Sequence, residues 1–257
     1  MRIGLIGKGA IAQYVSNAVQ ARGHSVCAVL VRSGSVSQNP ELFVDSVSNL
    51  TANTELVIDC AGHRALEEYG PQILACGLDL VTVSIGALAD QRVADALASA
   101  AREGGAKLHL ASGAIGALDC LSAAATGKLE KVTYVGRKPP LGWMGSPAAD
   151  KLHLEALTIA ETHFKGTARE AALRFPKNAN VAAAVALAGL GFDQTQVRLI
   201  ADPSITRNIH EIEAEGDFGQ FHFQISGNSL PDNPRSSALA AMSVVSKLEQ
   251  ISSPVVL

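Results

Sequence analysis

Apolar positions in the first hundred residues come in short runs, and the stretches between them carry helical spacing. Residues 2–6 form one such run, and residues 10–21 then place Ile11, Val15, Ala18 and Val19 on a single helical face. Residues 25–31 (SVCAVLV) and 55–60 (ELVIDC) read as strands, followed by a helix over about 65–76. Next come 79–83 (DLVTV), a helix over 90–103, and 107–110 (KLHL). Apolar runs alternating with helices of about ten residues predict βα units around a parallel sheet.

The pattern changes after about residue 112. Residues 118–126, 168–173 and 181–190 have helical spacing. Residues 131–138 (KVTYVGRK), 197–201, 207–215 and 218–227 read as strands, and 156–165 as mixed strand. Residues 139–147 (PPLGWMGSP) form a Pro/Gly-rich loop. Gly216 and Asp217 are placed for a hairpin turn. Strands that follow one another through short turns predict an antiparallel α+β arrangement. A last helix is expected over about 234–249, with Asn233 as its cap and Pro234 at its first position.

The first strand runs directly into Gly7-Lys8-Gly9-Ala10-Ile11-Ala12, a G-x-G-x-x-A turn between a strand and a helix. Gly7 permits the tight turn, Gly9 lets a pyrophosphate approach the backbone, and Ala12 lets the helix pack close to the sheet. Ala10 and Ile11 open a helix whose free N–H groups face the phosphates. The prediction is an α/β Rossmann dinucleotide-binding domain over 1–112, with the C-terminal helix in 231–257 packing back on it. An α+β domain with a mainly antiparallel sheet is expected over 113–230. The second strand ends in Arg32 where a ribose-binding acid usually stands, and an arginine accepts the 2′-phosphate that a carboxylate would repel. The cofactor is therefore read as NAD or NADP. The turns at 60–63, with Gly62 and His63, and at 84–90 are expected at the same edge. A helix-start role for His63 is the simpler alternative.

The chain has 257 residues, 47% of them hydrophobic, and a net charge of −3. The weak negative charge argues against nucleic-acid binding. No run approaches the roughly 18 consecutive apolar residues of a membrane span. Residues 2–6 are too short for a signal-peptide core, so a cytoplasmic protein is expected. Cys27, Cys60, Cys76 and Cys120 form no CxxC pair and read as reduced core residues. No HxH or HExxH spacing or carboxylate cluster suggests a metal.

Six segments together resemble the L-aspartate dehydrogenase family: residues 7–12, 84–90 (SIGALAD), 112–119 (SGAIGALD), 175–182 (FPKNANVA), 207–211 (RNIHE) and 233–243 (NPRSSALAAMS). The resemblance covers the whole chain, and the last four segments are the specific ones. It implies NAD(P)-dependent oxidation of L-aspartate to iminoaspartate, which hydrolyses to oxaloacetate and ammonia, and a role in NAD biosynthesis. It further implies that Ala114 and Asn180 contact the nicotinamide cofactor and that His210 is catalytic.

The residues have readings of their own. Small residues at 112–116 let backbone approach a flat ring, and equally serve close packing. Asn178 or Asn180 can cap the following helix, or hold a nicotinamide or carboxylate. His210 alternates with Ile212 and Ala214 on a face opposite Glu211, Glu213 and Glu215, so it is expected to point inward. A base of near-neutral pKa suits deprotonation of the substrate ammonium or activation of water, and His210 is expected in one of these roles. The helix start at 233–237 offers an anion site, so Ser236, Ser237 or Arg207 is expected to bind a substrate carboxylate. A homodimer is expected, because a sheet with one face free of helices needs cover. The rival readings are a related two-domain reductase acting on another amino or oxo acid, and a non-catalytic NAD(P)H-sensing protein.

Overall fold

Apolar runs too short for helices become the strands of a six-stranded sheet. β1 (Arg2–Ile6), β2 (Ser25–Leu30), β3 (Phe43–Val44), β4 (Leu56–Asp59), β5 (Leu80–Thr82) and β6 (Leu108–Leu110) pair in the order β3-β2-β1-β4-β5-β6. Every pair is parallel. The connections hold α1 (Ala10–Gln20), α2 (Val47–Thr51), α3 (His63–Ala75) and α4 (Gln91–Gly104). The strand order reverses on either side of β1, which places a crevice at its C-terminal end. β3 and α2 have two and five residues, too few for a periodicity to show. The computed structural model describes residues 1–176, 180–231 and 233–255. Asn178 lies outside them.

The chain divides into two units, Met1–Gly113 with Ala240–Leu257, and Ala114–Leu239. The core of the first joins Ile3, Leu5, Ile58 and Val81 of the sheet to Val15 and Val19 of α1. Val244, Val245 and Leu248, near the chain's end, belong to the same cluster.

The second unit begins with α5 (Leu118–Ala124). Its sheet contains β7 (Leu129–Lys138), β8 (Glu161–Thr167), β9 (Gln196–Ala201), β10 (Asn208–Gly216) and β11 (Gly219–Gly227), in the order β11-β10-β7-β9-β8. This sheet is mixed, which corrects the mainly antiparallel expectation. β7 and β9 run parallel, because β8 carries the chain back antiparallel to both, and α6 (Ala168–Arg174) and α7 (Asn180–Ala188) bridge the end of β8 to the adjacent start of β9. β8 starts five residues later than the pattern suggested, after a short 3₁₀ turn at Leu154–Ala156 and four residues of irregular chain. The β10–β11 turn is Asp217-Phe218, one residue later than expected, because Gly216 pairs with Gly219.

A second correction concerns the last helix. Residues 233–237 are not its first turn. They form β13 (Asn233–Ser237), which pairs with β12 (Ser229–Leu230), and α8 (Ala238–Ser252) begins only afterwards. Proline has no N–H to lose on a strand edge, so Pro234 suits this short ribbon as well as a helix start. The Ala238 N–H already donates to the Asn228 carbonyl at 2.9 Å. The cysteines also depart from expectation: all four are free, but Cys76 and Cys120 are exposed. Among the described residues no helix is long and apolar enough to cross a membrane.

The core of the second unit contains an unusual imidazole. A bulge in β8 turns both His163 and Phe164 inward. His163 packs edge-on to Trp143 at 4.3 Å between ring centroids, with Phe175 at 5.4 Å. Neither of its ring nitrogens has a hydrogen-bond partner. Burial, helped by the Lys151 charge, lowers its pKa to about 4. The folded protein therefore holds this ring neutral where the unfolded chain would protonate it. Its contribution to stability is complete above the unfolded value near 6.5 and declines as pH falls toward about 4. Denaturant unfolding at pH 7 and pH 5 is expected to lose about 2 kcal/mol less in His163→Phe than in the parent. Equal losses in the two proteins would mean that the ring finds a partner.

Candidate active site

The glycine turn builds a candidate cofactor site within the first unit. Gly7 leaves β1 at φ +92°, and a Cβ there would lie 2.9 Å from the Ala61 side chain. Gly9 caps α1 without a side-chain hydrogen bond, and a Cβ there would meet nothing within 4 Å. The helix thus begins with unclaimed N–H groups beside an open surface, which suits a pyrophosphate. A groove of about 570 Å³ at this edge is lined by Gly7, Lys8, Gly9, Arg32, Cys60 and Arg64, among others. Arg32 follows β2, and Arg64 stands in the first turn of α3. Both are exposed, and neither has an ion pair among the described residues. Glycine walls, a free helix start and two uncommitted guanidinium groups fit a phosphate-bearing dinucleotide.

Asp59 holds the floor of that edge. It ends β4 fully buried. Its Oδ1 accepts the Ala61 N–H at 2.8 Å, and its Oδ2 accepts the hydroxyls of Thr82 and Ser84 at 2.8 and 2.7 Å. The Ser84 N–H in turn donates to Thr82 Oγ1 at 2.9 Å. Burial pushes the Asp59 carboxyl pKa up, against the pull of these hydrogen bonds. One carboxyl group therefore ties the turn after β4 to the turn after β5.

A separate cluster of buried polar side chains lies on the sheet of the other unit. Strand alternation puts Tyr134, Gly136 and Lys138 of β7 on one face. His210 of β10 sits directly opposite Gly136. His210 is 4% exposed, and Tyr134 is fully buried. The Tyr134 hydroxyl meets His210 Nδ1 at 2.7 Å. Among the described residues His210 has no other hydrogen-bond partner. Its Nε2 is not among the sealed, unpartnered atoms, which are both nitrogens of His163 and Thr195 Oγ1. Burial first, and the Lys138 charge second, lower the His210 pKa to about 3. Burial lowers that of Lys138 to about 8, and its ammonium stands 5.1 Å over the Trp143 ring. The expected base of near-neutral pKa is therefore an imidazole that stays neutral throughout the physiological range, because little water reaches it.

Residues 4–111 match a family model described as the NAD binding domain of homoserine dehydrogenase. Residues 119–251 match the model described as the C-terminal part of aspartate dehydrogenase. The chain belongs to the L-aspartate dehydrogenase family. It is 52% identical to the L-aspartate dehydrogenase of Ruegeria pomeroyi over 254 residues, covering 97% of this chain and 92% of that one. The Ralstonia pickettii L-aspartate dehydrogenase is 44% identical, with 96% of each chain covered. The crystal structure of aspartate dehydrogenase from Thermotoga maritima superposes with a TM-score of 0.80 at 26% identity, covering 100% of this chain and 99% of that one.

Within this aspartate dehydrogenase fold the expected residues fall at several places. Gly7, Gly9 and Arg32 line one groove, while Ala10 and Ile11 open α1 beside it. Gly62 caps α3 at φ +99°. Ala114 is buried just ahead of α5, and Asn180 is the first residue of α7. Arg207 is exposed one residue before β10. Ser236 and Ser237 end β13 and stand directly before α8, whose first residue is Ala238, so the helix start lies just after these serines and not at Asn233-Pro234. Pattern reading passed over Asp59, Arg64, Tyr134 and Lys138. An acid ending an apolar strand was the available signal for Asp59. The even spacing of Tyr134, Gly136 and Lys138 beside the histidine strand was the signal for the others. Asp59→Ala leaves two buried hydroxyls and an N–H without their acceptor. The expected result is a loss of at least about 2 kcal/mol in urea denaturation. An unchanged midpoint would show that water replaces the carboxylate.

Proposed function

We propose that this chain oxidises L-aspartate to iminoaspartate with NAD or NADP, the imine then hydrolysing to oxaloacetate and ammonia. The carrying observation is His210: a buried imidazole, held at Nδ1 and unpartnered at Nε2, in an enzyme family that the sequence matches along nearly its whole length. The cofactor groove described above supports the redox half of the reading. A bound nicotinamide would supply the acceptor for the hydride that leaves the substrate Cα. Gly7, Gly9, Ala10 and Ile11 would hold the pyrophosphate, with Gly62 at the same sheet edge. Ala114 and Asn180 are assigned to the nicotinamide end on the family motifs. Arg207 remains the candidate cation for a substrate carboxylate.

Hydride leaves Cα only when the nitrogen lone pair can form the C=N bond, so the bound amine must be neutral. A substrate surrounded by little water and facing an uncharged imidazole meets that condition better than one facing an imidazolium. His210 is accordingly assigned to the reacting centre as a neutral group. A homodimer, a cytoplasmic location and a role in supplying iminoaspartate to NAD synthesis belong to the same proposal.

Aspartate-dependent reduction of NAD and NADP, followed side by side by absorbance, tests the reaction. His210→Ala is expected to lower kcat roughly 100-fold or more while cofactor binding stays nearly intact. Turnover at the parent rate in that variant would remove the assignment. Arg32→Ala is expected to weaken NADP binding at least about 10-fold and NAD binding much less, measured by quenching of the single tryptophan or by calorimetry. Equal losses for both cofactors would dismiss a 2′-phosphate contact.

A further inference from the structure

The histidine strand and its neighbour specify more than the position of a ring. Tyr134 reaches His210 by crossing over Gly136, the residue that faces His210 across the β7–β10 ladder. A Cβ at position 136 would lie 2.7 Å from the Tyr134 hydroxyl oxygen. The ring planes of Tyr134 and His210 lie within 16° of each other, with centroids 6.1 Å apart. The phenol and imidazole thus meet nearly edge to edge, in the geometry of a directed O–H···N bond.

The direction of that bond follows from counting donors. The tyrosine hydroxyl carries one proton and is fully buried. Among the described residues His210 is its only hydrogen-bond partner. Were Nδ1 protonated, it would donate to the phenol oxygen, and the phenol proton would be left buried without an acceptor. A buried polar group left in that state costs about 1–3 kcal/mol. Nor does the phenol lose its proton, because burial pushes its pKa up. The hydroxyl therefore donates to Nδ1, and the imidazole proton resides on Nε2.

We propose that Tyr134 is a positioning residue that fixes His210 as the Nε2–H tautomer, so that His210 serves the reaction as a hydrogen-bond donor and not as a proton acceptor. The proposal rests on the functional reading that His210 faces the reacting substrate. Its ligand atom is the oxygen on the carbon that bears the nitrogen: the carbonyl oxygen of oxaloacetate, or the hydroxyl of the tetrahedral adduct reached from the imine. As ammonia attacks, its lone pair forms the C–N bond and the carbonyl π pair moves to that oxygen. The Nε2–H stabilises the charge there without leaving the ring. A neutral imidazole suits this task, because its proton is held firmly while its dipole points at the developing oxyanion. The aspartate nitrogen must then lose its proton to another base. Lys138, on the same face of β7 and with a pKa near 8, is the nearest candidate by register.

Nitrogen-15 NMR of the histidine-labelled protein reads the tautomer directly, with the His210 signals identified by their loss in His210→Ala. The expected spectrum shows an unprotonated Nδ1 and a protonated Nε2, unchanged from pH 5 to 8. A protonated Nδ1 in the parent protein overturns the proposal, whatever the activity. Tyr134→Phe removes the donor, and Gly136→Ala displaces it. Both are expected to give mixed tautomers and to lower kcat for reductive amination of oxaloacetate roughly 10-fold or more, with the cofactor KM little changed. Should a variant show the tautomer change with kcat unaltered while His210→Ala is inactive, tautomer control has no part in the reaction. Should His210→Ala keep full activity, the functional reading itself fails, while the spectrum still reports the hydrogen-bond direction.

Discussion

A polar group taken out of water must meet a partner or give up its charge. Both units of this protein are organised around that constraint. In the first, Asp59 enters the sheet's C-terminal edge and gathers an N–H and two hydroxyls, which fixes two neighbouring turns relative to each other. In the second, His210 enters the sheet and is met by one phenol. Each turns a costly burial into a defined geometry where ligands are expected.

The two buried histidines show what the partner contributes. His163 and His210 are both 4% exposed, and burial lowers the pKa of both. His163 is enclosed by aromatic rings and has neither nitrogen bonded. Nothing there selects a tautomer, and its consequence is a pH-dependent stability. His210 has one nitrogen engaged and the other unclaimed, so its ring has a direction. The difference lies in the neighbouring strand. β7 presents Tyr134 and then Gly136, a long side chain followed by a gap through which its hydroxyl can reach the next strand.

Local patterns were legible where the physics is local. The glycine turn after β1, the parallel βα order and the inward face of the histidine strand all follow from two- and four-residue periodicities and from the conformational freedom of Gly7. The family motifs added Ala114, Asn180 and His210, which spacing alone could not assign. Errors arose where a distant segment decided the outcome. Residues 233–237 carry a good helix-start signature, yet Ser229 and Leu230 draw them into a ribbon. The second sheet's parallel pair depends on which strand the returning chain meets after a connection of nearly sixty residues, and no local pattern encodes that choice.

The sequence by itself determined the dinucleotide turn, the longer strands and helices of the first unit, the family, and the face of β10 on which His210 lies, because each is written in neighbouring residues or in matched motifs. Only the tertiary structure decided that the histidine is neutral and which group holds its Nδ1. A side chain's pKa and proton position depend on the water it has lost and the atoms it meets. Here those atoms belong to residues 76 positions away in the chain.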